Sequence, residues 1–80
     1  MSRVQLRRVD PARNMARFYV LTVQPTLFGT WTLLREHGRI GSPGRVIETP
    51  FPTLDEAAAA LTRLWRQKLR RGYSATAVQP

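Results

Sequence analysis

Only one stretch of this chain carries a helical repeat, and everything ahead of it reads as short strands separated by turn residues. After Thr53, the residues Leu54, Ala57, Ala58, Leu61, Leu64, Trp65 and Leu69 recur at helical spacing and form one apolar face. Strands followed by a single one-faced helix predict an α+β fold, an antiparallel sheet with the helix packed on one side of it. Both helix ends are marked. Thr53-Leu54-Asp55-Glu56 fits a capping box, with the Thr53 hydroxyl accepting the Glu56 amide and the Glu56 carboxylate returning to the Thr53 amide. Gly72 can take the left-handed position after the helix, with Tyr73 as the apolar residue of a Schellman ending. Lys68, Arg70 and Arg71 suit the negative end of the helix dipole, and Arg63, Arg66 and Arg70 predict a solvated outer face.

The strands come from alternation and from β-branched and aromatic runs. Met1 to Val9 alternates, and Asp10-Pro11-Ala12-Arg13-Asn14 supplies turn chemistry. Arg17 to Gln24 is rich in strand-forming residues, and Gln24 to Gly29 turns the chain. Thr30 to His37 alternates again. Gly38 to Gly44 places three glycines in seven positions, and Arg45 to Thr49 is closed by Pro50 and Pro52. The pattern predicts three or four strands joined as hairpins, with Trp31, Trp65, Phe18 and Phe51 in the core. Ser74 to Pro80 is expected to fray, giving a single domain over 1–73 and a tail over 74–80.

A chain of 80 residues buries only about 60 % of its unfolded surface, which favours binding on a surface over a deep active site. Catalytic chemistry has little to work with. His37 is the only histidine, its neighbour Glu36 would face the other side of a strand, and Asp10, Glu48, Asp55 and Glu56 are scattered. No spacing suggests metal ligands, and the absence of cysteine removes disulfides, thiolate zinc sites and cysteine nucleophiles. The expectation is a non-enzyme without metal or cofactor. No apolar run reaches transmembrane length and the first ten residues do not resemble a signal peptide, so the chain reads as soluble and cytoplasmic with no membrane partner. The formal charge of +8 gives a preference for acidic partners, and twelve of the thirteen basic residues are arginine. Arginine forks onto phosphate and stacks on rings, which points to a polyanion; the alternative is a merely solubilising surface.

Gly38-Arg39-Ile40-Gly41 matches the GxxG loop of KH domains, but that loop needs flanking helices, and both flanks here read as strands. A composite pattern is more specific. Phe18-Tyr19, Trp31, Glu36-His37-Gly38-Arg39-Ile40-Gly41, Gly44-Arg45, Phe51, an alanine-rich helix and Lys68 to Gly72-Tyr73 resemble a WGR domain over roughly residues 16–73. The family is named for a Trp-Gly-Arg triplet between two strands; here His37 stands in the place of the signature tryptophan, while Gly38, Arg39, Ile40 and Gly41 keep the pattern. In the DNA-activated poly(ADP-ribose) polymerases such a domain sits beside a catalytic domain and binds DNA at strand breaks. The resemblance implies an end-binding surface at His37, Gly38 and Arg39, without a catalytic domain, as in small stand-alone bacterial proteins of this kind.

By period two, Arg35, His37 and Arg39 share one strand face and lead into a glycine hairpin whose amides could meet phosphate. The candidate nucleic-acid-binding residues are His37, Gly38, Arg39, Gly41, Arg35, Arg45 and Arg17. The expected partner is duplex DNA at ends or breaks. The other reading is a protein-interaction module in which the basic surface docks an acidic partner and DNA binding has been lost.

Overall fold

Alternation along each strand and tight turns between them determine the sheet. The computed structural model describes residues 2–80, so Met1 lies outside it. Its elements are β1 (Ser2–Asp10), a 3-10 turn (Pro11–Arg13), β2 (Met15–Pro25), β3 (Trp31–Arg39), β4 (Arg45–Phe51), α1 (Leu54–Arg70) and β5 (Ser74–Gln79). The strands form one antiparallel sheet in the order β4-β3-β2-β1-β5. The first four pair as successive hairpins.

The sheet has five strands rather than three or four. Ser74 to Gln79, which composition predicts as a frayed tail, returns from α1 and pairs with β1, setting Val78 opposite Val4 and Ala75 opposite Leu6 across a bulge. Without β5, β1 would present a row of unpaired backbone groups at the sheet edge. The small residues of β5 contribute few apolar contacts of their own, and its pairing comes from that edge.

One face of the sheet is covered by α1. Val4 and Leu6 on β1, Tyr19, Leu21 and Val23 on β2 and Leu33 on β3 meet Ala57, Ala60 and Leu61, and all nine are buried. Two alanines at the contact let the helix backbone approach the strands closely. Trp31, Phe51, Leu64, Trp65 and Tyr73 pack partly buried around this centre. Leu54 and Leu69 belong to the apolar repeat yet are exposed, since they lie at the two ends of the helix. Phe18 is not in this core. It faces the opposite side of the sheet, where its ring lies against Gly38 and the edge of Gly44.

The C-terminal end of the helix forms as its sequence implies, and the N-terminal end forms one half of the expected capping box, without the return bond from the Thr53 amide to the Glu56 carboxylate among the described residues. Thr53 Oγ1 accepts the Glu56 amide at 3.2 Å, the accepting half of the capping box. At the other end Gly72 has φ +92, its amide donates to the Leu69 carbonyl at 3.1 Å, and the Tyr73 amide donates to the Lys68 carbonyl at 3.1 Å. That pair of bonds is the Schellman ending. It turns the chain so that Tyr73 folds back towards Tyr19 on the sheet.

Candidate nucleic-acid interface

The C-terminal end of α1 lies over the part of the sheet where β2 and β3 carry basic residues. Register pairs Tyr19 with His37, Arg17 with Arg39 and His37 with Arg45, so these side chains emerge on the helix-covered face. Arg35 lies on the same face, opposite Leu21. The structure thus places Arg35, His37 and Arg39 on one face of β3. Together with Lys68 and Tyr73, the residues Arg17, Tyr19, His37 and Arg39 line an open depression of about 530 Å³ that Phe18 and Gly38 complete. No acidic side chain lines it.

Its floor is aromatic. The Tyr19 and His37 rings stack with centroids 5.3 Å apart and planes 12° from parallel, and Tyr73 meets Tyr19 edge-on at 6.3 Å. The imidazole therefore has one face on Tyr19, and its neighbour across the strand pair is the exposed Arg45. Lys68 Nζ sits 4.3 Å from the centre of the Tyr19 ring and 5.7 Å from that of Tyr73. Among the described residues no carboxylate pairs with this ammonium. Burial, and then the positive charges of Arg71, Arg35 and Arg17, push its pKa below the usual lysine value. Among the described residues the one ion pair is Arg13 with Asp10, within the turn of the β1–β2 hairpin that also carries Asn14. Arg35 Nε is buried and makes no hydrogen bond among the described residues.

The glycine hairpin has a packing role beside the one its sequence suggests. The amides of Ile40 and Ser42 already donate to the Ala16 and Arg39 carbonyls, at 2.8 and 3.0 Å, so neither points at a ligand. A Cβ on Gly38 would lie 2.8 Å from Gly44 Cα, and one on Gly44 would lie 2.7 Å from the His37 carbonyl oxygen. These two glycines let the strands close on each other beneath Phe18. Gly41, at φ +94, is exposed at the tip with nothing around its missing Cβ. Arg39 is also partly engaged, because its guanidinium donates to the Asn14 carbonyl at 3.1 Å and to Asn14 Oδ1 at 3.2 Å. Asn14 presents both oxygens from a left-handed conformation, φ 51. The fork orients Arg39 across the first hairpin while leaving it exposed.

Tyr19, Lys68 and Tyr73 are the residues that strand reasoning missed. Lys68 could have been found from the helix, since Leu61, Leu64 and Lys68 continue the repeat of the buried face. Tyr19 shares the period of Arg17 and Leu21. A second shallow depression, on the outer helix face beside Arg63, Arg66 and Arg70, has no aromatic residue in it.

Residues 2–79 match the WGR domain family. The chain belongs to the WGR domain family. Domains of this family are non-catalytic modules that generally bind nucleic acid. The chain is also 44% identical over 71 residues to the "Uncharacterized protein y4dW" of Sinorhizobium fredii (strain NBRC 101917 / NGR234), a match covering 89% of this chain and 35% of that protein. It thus spans about a third of that relative's length. No solved structure matches it. In this WGR domain the signature position is His37, and the ring that supports it is Tyr19. Among the described residues no helix is long and apolar enough to cross a membrane.

Proposed function

We propose that this WGR domain binds duplex DNA at ends or breaks through the depression at the C-terminal end of α1. The observation that carries the reading is the Lys68 ammonium, held over Tyr19 among Arg17, Arg35 and Arg71 with no carboxylate beside it. Cations held together against their own repulsion lose that cost when a phosphate settles among them. Flat groups at the same place add a second recognition element. The exposed terminal pair of a duplex offers a sugar and base face to the Tyr19–His37 stack, and its backbone offers phosphates to Arg17, Arg39 and Lys68. Arg45 flanks the imidazole on the β4 side. Gly38 and Gly41 serve this surface by shaping the hairpin that ends β3.

The test is competition for a labelled blunt duplex by linear and covalently closed circular DNA of the same sequence, at low salt. The linear form is expected to compete better, and Lys68→Met and Arg17→Ala are expected to weaken binding. Equal competition by the two forms refutes the preference for ends. No binding to any DNA refutes the whole reading. A second reading, docking of a protein partner, is favoured by Leu27 and Phe28, which stand 97% and 89% exposed at the tip of the β2–β3 hairpin. Loss of DNA binding with retained folding would move that reading ahead.

A further inference from the structure

The face of the sheet away from α1 differs in charge from the rest of the molecule. Of the basic residues on strands, only Arg3 and Arg7 point to it, both on β1. Glu36 and Glu48, the two acidic residues on β3 and β4, point to it as well. The +8 charge of the chain therefore lies elsewhere, and this face is neutral in sum. Between its basic and acidic margins run Phe18 and Val20 on β2 and Leu34 on β3, with Val46 58% exposed beyond them.

We propose that this open face docks a second copy of the same chain, sheet on sheet. The register gives the arrangement. Along the strands, Arg3 is level with Thr22, Glu36 with Val20 and Arg7 with Phe18, while Glu48 is level with Leu34 and so with Thr22. A two-fold axis along β2 keeps each residue at its own level and carries β1 of one copy over β3 of the other. Glu36 then falls between the partner's Arg3 and the partner's Arg7, about two residues or roughly 7 Å from each along the strand. With sheets about 10 Å apart, that separation is within the reach of an arginine side chain. Glu48 lies one strand further out at the level of the partner's Arg3. The β2 stripe stacks on itself. A two-fold axis across the strands would instead set β1 on β1 and arginine on arginine, so charge selects one of the two packings.

Five strands about 4.8 Å apart, paired over some seven residues, present on the order of 600 Å² on this face. Stable interfaces bury about 800 Å² per partner, so the dimer should dissociate on dilution. The packing leaves the basic depression on the outer side of each copy, and the proposal does not depend on what that depression binds.

Sedimentation equilibrium of the DNA-free protein, from micromolar to near-millimolar concentration, tests it. The parent is expected to approach twice the monomer mass as concentration rises. The pair Glu36→Arg with Glu48→Arg and the pair Arg3→Glu with Arg7→Glu should each remain monomeric, and an equimolar mixture of the two variants should recover the dimer. Glu48 also accepts the Thr32 hydroxyl at 3.3 Å, so Val46→Arg, at an exposed position, carries the test if the charge-swapped chains do not fold. It should be monomeric where the parent dimerises. A parent that is monomeric at every concentration, or a dimer indifferent to these substitutions, overturns the proposal.

Discussion

Gly44→Ala and Gly41→Ala form a matched pair that separates close packing from backbone conformation. Both residues have positive φ, +76 and +94, so alanine pays a similar conformational cost at each, about 1–2 kcal/mol. Their surroundings differ. Nothing lies within 4 Å of a Cβ at Gly41, whereas a Cβ at Gly44 would sit 2.7 Å from the His37 carbonyl oxygen and 2.7 Å from Phe18 Cζ. The Phe18 ring can swing aside, but the carbonyl belongs to the β3 backbone and moves only with the strand. Overpacking of that kind adds roughly 1–3 kcal/mol. At roughly 4–8 °C per kcal/mol in a domain of this size, Gly44→Ala should melt some 5–20 °C below Gly41→Ala. Thermal melts followed by circular dichroism, with urea titrations for the free energies, read the difference. Equal melting of the two variants would refute the close approach of Gly44 to β3.

Two further substitutions test the helix. Lys68 has a folded-state pKa below its unfolded value, so in the alkaline window between them the unfolded chain holds more protons and stability should rise with pH. Lys68→Met should remove that share of the rise, and a parent whose stability is flat across the window would show the ammonium unperturbed. Leu61→Ala, at a buried contact with the sheet, should cost about 2–5 kcal/mol, while Arg66→Ala on the exposed face should change stability by less than about 0.5 kcal/mol, both measured by urea unfolding.

The helix was the most legible part of the molecule because its signals are local. Thr53 caps it and Gly72 with Tyr73 ends it through bonds between near neighbours in sequence. The strands β1 to β4 were legible for the same reason, and period two brought Arg35, His37 and Arg39 to one face. β5 was hidden because Ser74, Ala75 and Ala77 carry little apolar signal, and its partner β1 lies at the other end of the chain. Phe18 was misplaced because alternation shows which residues share a face but not which face the helix covers. Its ring instead fills the space over Gly38. The depression joins β2, β3, the end of α1 and Tyr73, and no local pattern could assemble those parts.

Salt dependence measures the central claim most directly, because phosphate contacts release counterions and buried apolar contacts do not. Affinity for a blunt duplex is titrated against salt for the parent and for Lys68→Met. If Lys68 and its neighbouring arginines neutralise three to five phosphates, log K against log salt should slope by about −3 to −5, and Lys68→Met should flatten the slope by about one. A parent slope near zero, or a variant slope equal to the parent's, would contradict the account of the depression as a phosphate-binding site.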